Sequence, residues 1–242
     1  APWFQKGQRK VLVHWFYDPQ VTATSTSVVA NELTHFKSLR LRAEEEIAIT
    51  NGQGSVLFAR CVDPALGTIA PVSFEARQRP KLQGHLVQSL AKGGRDEAAV
   101  QAAVELGVSS ITPLQASRSI VEWGQKAERN QERWQQIAIS AMKQSQQAFL
   151  PIVNPLVKPK SLVADSKVLV LEPTAPLTLK SLALTEAVTI VVGPEGGFEQ
   201  SELLEFEHKG FVQARLGSSV LRTSTAGPAA LAVILAMAGA WD

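Results

Sequence analysis

A single cysteine, Cys61, stands among 242 residues, so no disulfide can form within the chain and a reducing compartment suits it. In its Val/Phe/Ala surroundings Cys61 reads as a small buried apolar residue rather than a nucleophile. The four histidines, His14, His35, His85 and His208, show no i, i+4 pair and no neighbouring cysteine, so no zinc site or other metal is expected. There is no G-x-S-x-G, which argues against a serine hydrolase built on a nucleophile elbow. The glycine-rich stretch at 193–197 lacks the Lys-Ser/Thr of a P-loop and is not G-x-G-x-x-G. An ATP or GTP hydrolase is therefore poorly supported.

Charge of one sign is missing too: 24 Lys and Arg face 22 Asp and Glu, a net +2. A nucleic-acid partner would need a local basic patch. Long hydrophobic runs are absent. The most apolar segment, Ala226–Trp241, is short for a bilayer and contains Gly227 and Pro228. It reads as a helix buried over most of its circumference, with no membrane partner. The first thirty residues lack the continuous apolar core of a signal peptide. They are free of acids up to Asp18 and rich in Ser/Thr at Thr22–Ser27, which leaves a processed organellar form open beside a cytoplasmic one. With 45% hydrophobic residues, the chain can bury a core as one large or two ordinary domains.

What is present falls into two parts. Residues 1–80 look β-rich: Lys10–Tyr17 is a strand candidate and Ala30–Leu41 a short helix. Glu46–Thr50 and Ser55–Val62 are strands joined across Asn51-Gly52. Asp63-Pro64 and Gly67 are expected to end this small barrel or sheet, with Phe74–Pro80 leading into a linker. From Lys81 strands and helices alternate: strand Leu82–Leu90, a basic glycine turn at Lys92–Arg95, helix Asp96–Leu106 with Gly107 as its stop, and strand Val108–Pro113. A long amphipathic helix follows over Ala127–Gln147, carrying Trp134, Ile137, Ile139, Ala141 and Met142. Then come an irregular linker over Pro151–Pro159, strand Lys167–Leu171, a weak helix over Leu177–Thr185 and strand Val188–Val192. This alternation predicts an α/β domain around a mostly parallel sheet.

The stretch VTIVVGPEGGFEQSELLEF, Val188 to Phe206, reads as buried strand, glycine turn and helix, the helix opening near Gln200 with free backbone N–H groups over the turn. ARLGSSVLRTSTAGPAALAVILA, Ala214 to Ala236, repeats the pattern. Two such loops at neighbouring strand ends favour a cofactor cleft over plain turns.

LVLEP (169–173), IVVGPEGGFEQSEL (190–203) and RLGSSVLRTSTA (215–226) resemble the three cofactor loops of SPOUT-class methyltransferases. Within that class they most resemble the ribosomal RNA small-subunit methyltransferase E family. HFKSLRLR (35–42) with NGQG (51–54) is similar to that family's PUA-like barrel, and residues 102–119 and 134–151 match its middle segments in spacing. The resemblance implies a PUA-like RNA-binding domain over 1–80 and a SPOUT domain with a C-terminal deep trefoil knot over 81–242. It implies S-adenosylmethionine as cofactor, small-subunit rRNA or the small subunit as partner, a homodimer, and methylation of N3 of a uridine. Carried over by position, Leu171, Gly193, Gly197, Leu216, Val220 and Leu221 would line the cofactor, mostly through backbone atoms.

Methyl transfer to uridine N3 requires loss of a proton and stabilisation of the anion. Arg222 is the candidate for that role; the alternative is a structural ion-pair partner. For RNA, His35, Lys37, Arg40 and Arg42 form a basic cluster placed on one short helix, with Lys92, Arg95 and Arg118 as candidates in the second domain; the alternative is a solvated charged face. Four positions depart from the family's pattern: Ala102 replaces a Lys, Lys143 and Gln147 stand where Glu and Arg are usual, and Ser224 replaces Glu in the arginine loop. A relative that binds RNA or assists ribosome assembly without turnover is the second reading.

Overall fold

The structure, a computed structural model, describes residues 13–183 and 186–240. The chain divides into two compact units, Ala1–Gln78 and Arg79–Asp242. In the first, β1 (His14–Tyr17) is followed by α1 (Ala30–Ser38), β2 (Glu46–Thr50), β3 (Ser55–Asp63) and β4 (Thr68–Ala76). The four strands form one sheet in the order β1-β2-β3-β4, with β1 parallel to β2 and the other pairs antiparallel. The β2–β3 hairpin is set by Asn51, whose Oδ1 accepts the backbone N–H groups of Gln53 and Ser55 at 2.8 and 3.0 Å. Phe16, Phe36, Ile47, Ile49 and Leu57 make the core. Cys61 is fully buried among them, and burial, with Glu45 and Asp63 nearby, pushes its thiol pKa up.

Two expectations need correction here. The strand expected over Lys10–Tyr17 runs from His14 among the described residues, and residues 10–12 lie outside them. The bend after Val62 is a hairpin, not an exit. Asp63 Oδ1 accepts from Ala65 and Leu66, and the chain returns as β4. Sequence reading passes over β4 because Pro71 interrupts it and five consecutive residues from Ala70 are exposed. The proline sits where the β3–β4 register shifts, as an edge strand permits.

The second unit runs β5 (Gln83–Ser89), α2 (Arg95–Glu105), β6 (Ser110–Leu114), α3 (Ala127–Gln144), β7 (Ile152–Val153), β8 (Lys167–Leu171), β9 (Ala187–Val192), α4 (Gln200–His208), β10 (Val212–Ala214) and α5 (Thr223–Met237). Its six strands are all parallel, in the order β10-β8-β9-β5-β6-β7. The β-branched runs of β8 and β9 suit a sheet covered on both faces. α5 and α2 pack on one face, with α3 against α2. On the other, Phe206 of α4 meets Val87, Val168, Val170 and Val191. The linker expected at Pro151–Pro159 contains β7, a two-residue edge strand too short to show as a pattern. The helix expected over Leu177–Thr185 is only a 3₁₀ turn at Leu179–Ser181; residues 184–185 lie outside the description.

From β9 the chain passes through α4, reaches β10 on the far side of β8, and returns as α5 against β9 and β5. The bare Gly227 lets the helix pack closely on this return. A Cβ there would lie 2.8 Å from Leu86 Cδ1 and 3.1 Å from Val192 Cγ2. α5 is not buried over most of its circumference as expected. Gly227, Ala230, Leu231, Ile234 and Leu235 are covered, while Ala236 and Met237 are exposed. No helix among the described residues is long and apolar enough to cross a membrane.

Gly227→Val should lower the unfolding free energy by about 1–3 kcal/mol through overpacking against Leu86 and Val192. A urea midpoint unchanged from the parent protein would show that α5 does not lie this close to the sheet.

Candidate functional site

The strand order sets the C-terminal ends of β10, β8 and β9 side by side, all pointing the same way. Each tip continues into a loop: 172–178 after β8, 193–199 after β9 and 215–222 after β10. Between them lies a cavity of about 580 Å³. Leu171, Gly193, Gly197, Leu216, Val220, Leu221 and Arg222 all line it, so the six cofactor candidates and the catalytic candidate are brought together. Val220 is 78% exposed, which places it at the rim rather than in the wall.

The glycine loop has its shape for two different reasons. Gly197 has φ +68°, a conformation that side chains other than glycine rarely adopt. At Gly193 a Cβ would stand 3.1 Å from the Phe198 ring, which folds back beneath the loop. α4 opens at Gln200, as the sequence suggested, and a buried carboxylate stands beside its first turn. Glu202, buried, accepts the N–H of Glu199 through Oε2 at 2.8 Å. Its other oxygen takes both the N–H and the hydroxyl of Ser117. In this segment the residues lining the cavity end at Phe198, short of α4.

A buried polar chain ties two of the loops to the sheet. The Thr223 hydroxyl donates to the Gly193 carbonyl at 2.8 Å. Gln88, fully buried on β5, donates its Nε2 to Thr223 Oγ1 at 3.0 Å. The hydroxyl has one proton, given to Gly193, so only a donor can meet it from the other side. The Gln88 amide nitrogen fills that role, and Gln88 Oε1 is left without a partner.

The cations divide by what they touch. Arg95 lines the cavity and pairs with Glu195 at 3.2 Å. It opens α2, where buried Asp96 accepts the N–H groups of Ala91 and Glu97; burial pushes the Asp96 carboxyl pKa up, partly offset by those hydrogen bonds. Arg118 donates to the Gly196 carbonyl at 3.2 Å and lies 4.0 Å from Glu199. Both arginines, expected to meet RNA, also contact the glycine loop, while Lys92 is exposed. Arg215 donates to the Ala175 and Pro176 carbonyls and fixes the loop after β8. Arg222 is exposed and its side chain makes no hydrogen bond or ion pair among the described residues, against its reading as a structural ion-pair partner.

In the first unit the basic cluster does not lie on one helix. α1 ends at Ser38, Arg40 has φ 52° and Arg42 follows beyond the turn. His35 pairs with Glu32 at 3.1 Å, whereas Lys37, Arg40 and Arg42 are not buried. Gln88, Thr223, Glu202 and Arg215 are not visible as site residues in the sequence, because their roles depend on partners distant along the chain.

Residues 78–235 match the RNA methyltransferase domain family. A ribosomal RNA small subunit methyltransferase E of Mycobacterium bovis is 32% identical over 226 residues, covering 84% of this chain and 82% of the relative. A ribosomal RNA small subunit methyltransferase E of Neisseria gonorrhoeae, solved bound to S-adenosylmethionine, superposes with a TM-score of 0.84 at 28% identity, covering 93% of this chain and 98% of that one. A Legionella pneumophila protein solved with the bound cofactor S-adenosylmethionine gives 0.82 at 26% identity, with 94% and 98% covered.

Replacing Thr223 by Val should leave the Gly193 carbonyl without its partner and the Gln88 amide with only the Ser89 and Thr223 carbonyls, costing about 1–3 kcal/mol, whereas Thr223→Ser should stay within about 1 kcal/mol of the parent. Urea unfolding of the two variants measures the difference; equal losses would mean that the hydroxyl contributes nothing.

Proposed function

The chain belongs to the RNA methyltransferase domain family, as a member of its ribosomal RNA small-subunit methyltransferase E group, and on that premise we propose that it methylates N3 of a uridine in small-subunit rRNA, using S-adenosylmethionine. The observation that carries the reading is the single cavity formed by three loops at adjoining strand tips.

The cavity fits the donor. Its volume falls within the range of about 300–1,000 Å³ usual for small-molecule sites. Leu171, Val192, Leu216 and Ala226 supply apolar wall for an adenine, and Gly193 and Gly197 expose main chain where a side chain would fill the space. Glu172 and Glu195 also line the wall, the first accepting hydrogen bonds from Thr174 and the second paired with Arg95. When bound, S-adenosylmethionine supplies an activated methyl group.

The chain's own residues do the rest. Thr223 and Gly193 hold the arginine loop and the glycine loop at a fixed separation. Arg222, free of internal partners, reaches the mouth and steadies the negative charge left on the pyrimidine when its N3 proton departs. That proton passes to water. Arg95 is committed to Glu195 and Arg215 to backbone carbonyls, so of the three lining arginines Arg222 is the one available for substrate. Lys37, Arg40, Arg42 and Lys92 serve as phosphate contacts that position the strand. The chain path over β8 and back to β9 is read as the trefoil knot of the SPOUT class, and the first unit as its PUA-like RNA-binding domain. The uncovered apolar side of α5, ending in Met237, is the surface on which a second copy would pack in a homodimer. The compartment consistent with an rRNA substrate is the cytoplasm or an organelle with its own ribosomes.

Transfer of labelled methyl from S-adenosylmethionine to small-subunit rRNA should fall about 10²–10³-fold in Arg222→Ala, the usual cost of losing one charge-stabilising donor. Donor affinity by calorimetry and the unfolding midpoint should not change. Donor binding without transfer in the parent protein would overturn the catalytic reading, and equal activity of Arg222→Ala would remove Arg222 from it.

A further inference from the structure

A second cavity, of about 510 Å³, lies at the opposite ends of the strands, near the starts of β5, β6 and β9. The sheet face that carries it should be apolar, since a parallel sheet covered on both faces usually presents Val, Ile and Leu. Its C-terminal half follows that rule, with Val87, Leu114 and Val191 beneath Phe198 and Phe206. Its N-terminal half breaks it: His85, Ser110, Thr112 and Thr189 line the cavity under the irregular segment 154–166. Such local departures from the pattern tend to mark functional sites.

These polar groups are arranged in pairs. His85 Nδ1 lies 2.8 Å from Ser110 Oγ, Asn154 Nδ2 donates to Thr112 Oγ1 at 2.8 Å, and Ser166 and Thr189 share a hydrogen bond of 2.6 Å. The pairing leaves the second ring nitrogen of His85, Asn154 Oδ1 and the Asp165 carboxylate for a ligand. Burial lowers the His85 pKa, which keeps the ring neutral near pH 7. No lysine or arginine lines the cavity among the described residues, so no cationic side chain there would meet a phosphate. The segment above is anchored by Leu162, buried in the core at 3% exposure, and Val163 beside it, 84% exposed, supplies apolar surface.

We propose that this cavity binds an uncharged nucleoside moiety, with the ribose hydroxyls donating to Asp165 and the base edge meeting His85 and Asn154 beside Val163. Such a moiety arrives either as a free nucleoside or as a base splayed from a single RNA strand. The site is separate from the donor cavity: Thr189 near the start of β9 faces this one and Val192 at its end faces the other. It does not depend on methyl transfer.

The test is calorimetry on the full chain with uridine and adenosine, at saturating S-adenosylmethionine so that the first cavity cannot take the adenosine. Both nucleosides should bind, and their 5′-monophosphates more weakly. Asp165→Asn, a loop substitution, should weaken binding about tenfold, or ~1.4 kcal/mol, and His85→Leu should do at least as much, both with donor affinity unchanged. A short single-stranded RNA tests the second source; binding of that strand alone, sensitive to the same two substitutions, identifies a splayed base. If neither nucleosides nor RNA bind up to about 1 mM, a ~4 kcal/mol floor, or if both variants bind as the parent does, the proposal fails. Displacement of the nucleoside by added donor would place it in the first cavity and equally overturn the second site.

Discussion

One hydroxyl proton fixes the site. Thr223 can give it to only one acceptor, and the Gly193 carbonyl takes it at 2.8 Å. That choice dictates which end of the Gln88 amide faces Thr223, and it leaves the amide oxygen unpaired in the core. An unpaired buried carbonyl costs about 1–3 kcal/mol, comparable to what the two retained hydrogen bonds contribute. The chain is thus close to neutral for stability, and its consequence is geometric: the tip of β9, the start of α5 and the central strand β5 are held at one separation. By contrast the Arg95–Glu195 pair is part-exposed, and pairs of that kind are worth at most about 1 kcal/mol. Rim contacts trim the loop; the buried chain sets it.

Gly227 is the complementary constraint. Thr223 and Gly193 can meet only if α5 descends onto β5 and β9, and the bare α-carbon at 227 permits that approach. The two features lie four residues apart, about one helical turn, so they share the face of α5 that meets the sheet. Packing brings the helix down, and the hydrogen-bond chain then fixes the arginine loop that precedes it.

How far the sequence could be read depends on the range of the interactions. β2 and β8 were legible to the residue, since both are short apolar runs bounded by turn residues. β4 and β7 were not: one is an exposed edge strand with a proline, the other two residues long, and both exist only through a partner strand. Arg40 looked helical because periodicity cannot foresee a left-handed residue two places past a helix end. The cavity residues were legible because glycine and apolar residues at strand tips form a local pattern. Gln88 and Thr223, 135 positions apart, form none. The arginines were read by charge alone, and charge does not distinguish an arginine holding a backbone carbonyl from one free to meet phosphate.

The same distinction bears on the positions that the resemblance marks as departures from the family's pattern. Gln147 donates to the carbonyls of Val104 and Glu105 and so closes the C-terminal end of α2, a task any suitably placed donor can perform. Ala102 lies on α2 and Ser224 in the first turn of α5, where the backbone makes no demand on the side chain. None of these positions requires a particular φ, a missing Cβ or a single-proton hydrogen bond. Gly197, Gly227 and Thr223 each carry one of those requirements. The cavity loops depend on such demands and the helix surfaces around them do not, so other residues at 102, 143, 147 and 224 are compatible with an intact cavity. If the departures alter anything, it is what lies over the mouth, and Arg222 is the side chain through which that would be felt.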